Sequence, residues 1–498
     1  MATLRIFSGE TVADIDPRLY GSFVEHLGRC VYTGIYEPGH PQADQEGWRK
    51  DTLSLVHELG ISIIRYPGGN FVSNYRWEDG IGPRELRPRR LDLAWRATET
   101  NEVGTDEFVS WCKKVGAAPM MAVNLGTRGI EAAVALLEYC NHPGGSAWSD
   151  LRRQNGHSEP HKIRTWCLGN ELDGTWQIGN KTATEYGQLA GQTARAMRKF
   201  DRTLEIVAVG STSPKLPTFL HWEQEVLTHC YDAVDAISLH NYLGHSGLSM
   251  ADYLASPVTM DRQIRSVATA CDFIRARDRH RKEMMLSFDE WNVWDMETTP
   301  GIAHDHAAWA EAPRQIEQIY NSIDALVFAG MLLNLLRHAK RVRMACVSQL
   351  VNVLGVIMTE PGGPAWRQST YWPFMHCSRH GRGHLLETTL EGYKLHESDA
   401  YGSVPFIDAV ATRDGDKIAI FVLNRGTEEA TLDIRLEGGR WNFQGHDKLV
   451  ATLPEKSNSL REPDVVSAHT GPGPRAEGGL LELALPPLSW HCVRLVAM

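Results

Sequence analysis

Two glutamates that end apolar runs, Glu171 in Gly169-Asn170-Glu171 and Glu290 in Asp289-Glu290-Trp291-Asn292, are the residues of this chain best suited to share one reaction. Cleavage of a glycosidic bond needs one carboxylic acid to protonate the leaving oxygen and a second carboxylate that attacks the anomeric carbon or activates water. The close spacing of about 5 to 5.5 Å is expected, which gives retention of configuration. Arg65 within reach of Glu290 would keep that carboxylate ionised. Burial and the charge of Glu290 would hold Glu171 protonated until Glu290 is glycosylated, after which Glu171 can turn from acid to base. One glutamate at a strand end is ordinarily a solvated loop residue, but two of them, each flanked by Asn and aromatic residues, are not explained that way.

Those two residues need a scaffold that brings separate strand ends together. Short apolar runs alternate with longer amphipathic stretches through most of the chain, the pattern of repeated βα units and a parallel sheet. Strands are expected at 18–24, 61–66, 118–125, 163–168, 204–209, 233–240, 284–288 and 344–350. Eight such units predict an α/β fold, a (β/α)8 TIM barrel, whose active sites sit at the C-terminal strand ends. Polar groups gather at those ends: Glu25-His26, Arg65 with Asn70, Asn124, Asn170-Glu171, His240-Asn241-Tyr242, Asp289-Glu290 and Gln349. The fourth and seventh strands face one another, so Glu171 and Glu290 can converge. Helical spacing marks 181–200, with a Thr182/Glu185 capping box, and also 106–115 and 262–275.

After about Gly381 the pattern changes to period two, as in 406–412 and 417–423, joined at Asp414-Gly415-Asp416, where Asp-Gly is a hairpin signal. A C-terminal β-sandwich of jelly-roll type is expected over 382–498, with 489–496 its last strand. Residues 1–16 would add a strand to it, leaving 17–381 as the catalytic barrel. Gly471-Pro472-Gly473-Pro474 marks a loop.

Composition narrows the partners. With 42% hydrophobic and 22% charged residues the chain can bury a large core, and a net charge of -10 disfavours nucleic acid, which is bound through clustered Lys and Arg. The apolar run 325–333 is too short for a membrane span and reads as a buried helix. No signal-like N-terminal segment is evident, and nine scattered cysteines without a Cys-x-x-Cys pair fit reduced thiols, so a cytoplasmic location is expected.

Four motifs carry a family resemblance: Gly21-Ser22-Phe23-Val24-Glu25-His26-Leu27-Gly28-Arg29-Cys30, Arg65-Tyr66-Pro67-Gly68-Gly69-Asn70-Phe71, Trp166-Cys167-Leu168-Gly169-Asn170-Glu171, and Asp289-Glu290-Trp291-Asn292-Val293-Trp294. Over essentially its whole length the chain resembles glycoside hydrolase family 51. The resemblance implies a retaining α-L-arabinofuranosidase acting on terminal residues of arabinan, arabinoxylan or derived oligosaccharides, built of a barrel and a β-sandwich and assembled as a hexamer. It implies Glu171 as acid/base and Glu290 as nucleophile. It also implies that Glu25, Arg65, Asn70, Asn170, His240, Tyr242 and Gln349 line the sugar pocket.

Their chemistry suits that role. Glu25 and Asn70 can take sugar hydroxyls, Asn170 the 2-hydroxyl, while Tyr242 and Gln349 can orient nucleophile and ring. Trp176 and Trp294 are candidates to stack on sugar, Trp95 and Trp309 less so. No metal or other cofactor is expected, because His26, His240, His304 and His306 lack a His-Glu-x-x-His or paired-Cys spacing. The stretch 295–313, with Pro300-Gly301, suggests a flap over the site. Leu354-Gly355-Val356 departs from the Ala-Pro of some relatives and bears on substrate preference. Fold does not fix substrate, so β-D-galactofuranosidase, β-xylosidase and endo-glucanase activities compete, as does, more remotely, a noncatalytic carbohydrate-binding protein.

Overall fold

A computed structural model describes residues 2–299, 309–477 and 480–498. Eight parallel strands close a barrel: Gly21–Phe23, Ile63–Tyr66, Ala118–Ala122, Thr165–Cys167, Glu205–Ala208, Ala236–Leu243, Met285–Val293 and Val342–Val347, numbered here first to eighth. All eight overlap the runs read from sequence; the first five are shorter at one or both ends, because apolar patterning continues into loops that are also buried, while the sixth and seventh run past the expected end and the eighth begins two residues earlier.

Side chains alternate between the barrel's interior and the surrounding helices, as the two-residue period of a strand requires. Phe23, Ile63, Met120, Cys167, Val207, Ala236 and Met344 fill the interior, while Ile64, Trp166, Ile206 and Ile237 pack outward. The same alternation turns Arg65, two residues after Ile63, inward at the mouth. The seventh strand breaks it. Register shifts interrupt its pairing with both neighbours between Ser287 and Trp291. Phe288 and Trp291 both join the outer core, Trp291 against Phe328 at 4.7 Å, so Asp289 and Glu290 in between both face the site.

Of the other sheets, three are two-stranded ribbons and the largest, of ten strands, forms the β-sandwich. Ala2–Asp14 lies within it, antiparallel to His384–Glu391 and parallel to Ala430–Glu437. Leu4, Ile6, Ile420, Leu432 and Leu483 are among the residues of its own core. The opposite side, through Phe421, Leu423 and Trp490, merges with the barrel's outer core. Between the two regions lies Ser322–Arg337, buried from Ser322 to Leu336, as a helix apolar all round must be. Its Asn321 cap accepts from the Ile323 and Asp324 amides. Among the described residues no helix is long and apolar enough to cross a membrane.

Local signals resolve in detail. Ala183–Phe200 starts on the Thr182/Glu185 capping box. The hairpin at 414–417 differs from expectation: Asp414 pairs with Lys417, leaving Gly415 and Asp416 as the loop. Gly415 takes φ +59° at the first loop position, where a II′ turn needs glycine, so the signal is Gly-Asp rather than Asp-Gly. All nine cysteines are free and buried. Residues 300–308, and with them His304, His306 and the centre of the expected flap, lie outside the described residues. At its flanks, Asp295 accepts from the Ser246 amide and hydroxyl, and the Trp309 amide donates to the Arg96 carbonyl.

Candidate active site

At the C-terminal ends of the strands a cavity of about 1020 Å³ opens, lined by Glu25, Asn70, Glu171, Tyr242, Glu290 and Gln349 among others. Glu171 and Glu290 are 7% and 5% exposed. One carboxylate oxygen of each, together with one ring nitrogen of His240, lies within 4.8 Å of the others. The two carboxyls thus approach one another closely enough, oxygen to oxygen, to act on a single anomeric carbon.

Their partners differ in kind. Glu290 Oε1 accepts from Arg65 Nη1 at 2.6 Å, and Oε2 from the Tyr242 hydroxyl at 2.9 Å. That hydroxyl has one proton, so its contact of 2.7 Å with Ser348 Oγ runs the other way, with Ser348 donating. Arg65 Nη2 donates to Asn170 Oδ1 at 2.8 Å, and its Nε pairs with Asp289 at 3.4 Å. Glu171 meets His240 Nδ1 through Oε1 at 2.9 Å and accepts from Trp176 Nε1 through Oε2 at 3.1 Å. Burial holds the Glu171 carboxyl above its ordinary pKa; the His240 hydrogen bond opposes this, and the charge of Glu290 adds to it. Glu171 itself sits at φ +47°, in the left-handed region.

The remaining predicted site residues form a rim around the pair. Glu25 Oε1 accepts from the Phe71 amide at 2.9 Å and from Trp95 Nε1 at 3.0 Å, and Oε2 from Gln349 Nε2 at 3.0 Å. Burial pushes the Glu25 carboxyl up to about 8, with the Phe71 amide opposing and Glu290 adding. Asn170 Nδ2 donates to Asn70 Oδ1 at 3.2 Å, and the Asn170 carbonyl is held by Gln177 Nε2 at 2.8 Å. Trp294 packs edge-on against Tyr242 with ring centres 5.2 Å apart, while Trp176 is 51% exposed at the cavity wall. Trp95 meets the site through Glu25, a closer role than sequence suggested. Trp309 stands further off, its carbonyl accepting from Thr98 Oγ1.

His26 is not near the pair; it bridges Glu99 at 2.8 Å and the Tyr66 hydroxyl at 2.8 Å. His240 has Asp289 Oδ1 at 3.1 Å from Nε2 and the Glu171 and Glu290 carboxyls at Nδ1, so each ring nitrogen already has a side-chain partner. Sequence reasoning left Asp289 and Ser348 without roles. Asp289 stood in a quoted motif, but alternation assigns neighbours to opposite faces, so reading Glu290 as facing the site left Asp289 out; Asp289 follows the alternation of Met285 and Ser287, and the bulge turns Glu290 to the same side. The cavity's far side, with Thr212, Arg262 and Tyr401, also went unread, since it joins three distant segments. Leu354, in the departing loop after the eighth strand, lines the cavity at φ +46°.

Comparison with known proteins agrees with this fold. Residues 55–253 match the family model of the α-L-arabinofuranosidase 1 domain, and 289–489 that of the α-L-arabinofuranosidase C-terminal domain. An intracellular exo-α-(1→5)-L-arabinofuranosidase of Halalkalibacterium halodurans is 48% identical over 99% of both chains, and one of Bacillus subtilis 49% identical over 97% of both. Among solved structures, a family 51 α-L-arabinofuranosidase from Bifidobacterium longum superposes with TM-score 0.95 at 44% identity, covering 99% of each chain. An α-L-arabinofuranosidase from Thermotoga maritima in an arabinose complex gives TM-score 0.88 at 33% identity over 100% of each. With its barrel, its sandwich and both family models in register, the chain belongs to glycoside hydrolase family 51, the α-L-arabinofuranosidases.

Proposed function

We propose that this enzyme removes terminal non-reducing α-L-arabinofuranosyl residues from arabinan, arabinoxylan or their oligosaccharides, with Glu290 as nucleophile and Glu171 as acid/base. The reading rests on one observation above all: two buried carboxyls within 4.8 Å, one met by Arg65 and a tyrosine hydroxyl, the other held above its ordinary pKa. In the first step the Glu290 carboxylate forms a bond to the anomeric carbon while the glycosidic bond breaks, and the Glu171 proton passes to the departing oxygen. In the second, Glu171, now a carboxylate, takes a proton from water as the water oxygen displaces Glu290. Two inversions restore the starting configuration.

Glu25 and Asn70 are assigned to sugar hydroxyls, Asn170 to the 2-hydroxyl, and Gln349 to the ring. Trp176 and Trp294 flank the terminal sugar and the unit it is attached to. A cavity of about 1020 Å³ exceeds the needs of one pentose, leaving room for the departing chain. Most of the similar curated bacterial enzymes are named for exo action on α-(1→5) bonds, and one from Bifidobacterium longum for α-(1→6); exo cleavage of α-(1→5) linkages is accordingly assigned to this enzyme. A cytoplasmic location, a homohexamer, and activity without metal or cofactor complete the proposal. Light scattering and assay in chelator test the last two.

Glu290→Ala is expected to lose about 10⁴-fold or more in kcat on an aryl α-L-arabinofuranoside. Azide, filling the vacated space, should restore turnover and yield the inverted β-azide. Near-normal activity without azide would overturn the assignment of the nucleophile. Greater release of galactofuranose, xylose or glucan fragments than of arabinose would overturn the substrate.

A further inference from the structure

Asp289 is 1% exposed, lies beside the nucleophile in sequence, and has no part in the two displacement steps. It touches two groups that do: His240 Nε2 at 3.1 Å and Arg65 Nε at 3.4 Å. His240 in turn reaches Glu171 Oε1 at 2.9 Å and Glu290 Oε2 at 3.5 Å, both from Nδ1. An ionised carboxylate only accepts hydrogen bonds. With Asp289 ionised against Arg65, His240 Nε2 must carry a proton, and with carboxylate oxygens on its other side Nδ1 is best satisfied by carrying one too.

We infer that Asp289 is a positioning residue that holds His240 as a permanent imidazolium, so that the buried charge at the site stays balanced in both halves of the reaction. The inference rests on the proposed roles of Glu171 and Glu290. In the resting enzyme the anions Asp289 and Glu290 stand against the cations Arg65 and His240, with Glu171 protonated. Once Glu290 is esterified its charge is gone. Glu171 has by then given its proton to the leaving oxygen and become an anion, so two anions again face two cations. A neutral His240 would leave one uncompensated negative charge in each state, in a place where an unpaired charge is costly.

The arrangement also fixes where the acid proton resides. Because His240 Nδ1–H occupies Glu171 Oε1, the proton of Glu171 sits on Oε2, the oxygen that Trp176 Nε1 approaches from the cavity wall. Among the described residues, Glu171 and, further out, Asp173 from the fourth strand's end, and Asp289 and Glu290 from the seventh, favour the cation, while Arg65, which shares Asp289 with His240, opposes it. Tyr242 and Cys167, the other titratable neighbours, are held neutral by burial. Burial presses His240 toward the neutral form, but the Glu290 charge and the hydrogen bonds to Asp289 and Glu171 outweigh it, and its pKa lies well above the ordinary value.

The test compares wild type with Asp289→Asn, which keeps the shape and removes the charge. In wild type labelled with 15N-histidine, the His240 resonances, assigned by their loss in His240→Gln, should keep the imidazolium signature well above the ordinary histidine pKa of 6.5. In Asp289→Asn they should titrate at least about 1 unit lower. In Asp289→Asn kcat should fall about tenfold or more with KM within about threefold. The wild-type measurement stands even if the variant folds poorly. A wild-type His240 that loses its charge near pH 6.5, or an Asp289→Asn variant whose His240 resonances do not move, would overturn the inference. Failed azide rescue of Glu290→Ala beside a persistent imidazolium would instead sink the assigned roles and leave the His240 cation standing.

Discussion

His240 at the barrel mouth and His376 under the sandwich are buried alike, with His380 partly buried beside the latter, and the two places drive the same side chain to opposite charge. His240 gives protons on both sides to carboxylates. His376 and His380, on the helix Tyr371–His380, receive instead: His376 Nδ1 accepts from Trp490 Nε1 at 3.1 Å, and His380 Nε2 from Arg494 Nη1 at 3.2 Å. A histidine that accepts a hydrogen bond at a ring nitrogen has its lone pair there and is neutral. Burial lowers His376 to about 3; burial and then the Arg494 charge lower His380 to about 4. The difference teaches that depth alone does not set charge here. At the mouth the acids around His240 overcome burial, whereas at the seam Asp447 opposes burial without overcoming it and His376 keeps a free lone pair for the Trp490 indole.

Removing the imidazole from the acidic mouth should have the largest effect. His240→Leu leaves Asp289, Glu290 and Glu171 facing one another without their cation. We expect kcat to fall about 10²–10³-fold, with a stability loss of about 3–5 kcal/mol in urea unfolding. A loss confined to stability would mean that the mouth and the seam use their histidines in the same way.

Acid tests the other side of the comparison. His376 and His380 bind fewer protons folded than unfolded, so the stability they permit is full above the ordinary pKa of 6.5 and declines as pH falls toward about 4 and then about 3. His240 has the reverse linkage: its contribution is full below 6.5 and is lost only as pH rises through its raised folded value. Thermal scans should show Tm falling by about 5 °C or more between pH 6.5 and 4.5. His376→Gln, with an amide that can still accept from Trp490, should flatten that slope while His240→Gln should not.

The smallest effect concerns one hydrogen bond. The Trp176 indole N–H lowers the pKa of Glu171, against the larger upward push of burial. Trp176→Phe should therefore move the alkaline limb of kcat/KM upward by about 0.5 unit and cost about twofold to fivefold in kcat. A downward shift would place the acid proton elsewhere.

Much of this was readable from residue order. Runs of Ile, Val, Leu and Met at βα spacing marked all eight strands, and Arg65, Asn170, Glu171, Tyr242 and Glu290 stood at strand ends where the barrel brings them within hydrogen-bond reach. What resisted reading was whatever depends on a departure from period. Asp289 and Glu290 face the same way only because the seventh strand slips register on both edges. Trp95 looks like a loop residue until Glu25 is seen at 3.0 Å. His376 and His380 show a helical spacing of four but not the strand Ser489–Ala497, more than a hundred residues later, that donates to them.

The division of labour between Glu171 and Glu290 is tested most directly by trapping the intermediate. Glu171→Ala lacks the base for the second step, whereas a dinitrophenyl α-L-arabinofuranoside needs no acid for the first. Intact-mass analysis within the first turnovers should show a chain heavier by one pentosyl unit, and peptide mapping should place it on Glu290. An adduct on another residue, or release of the aryl group with no adduct and no burst, would contradict the account.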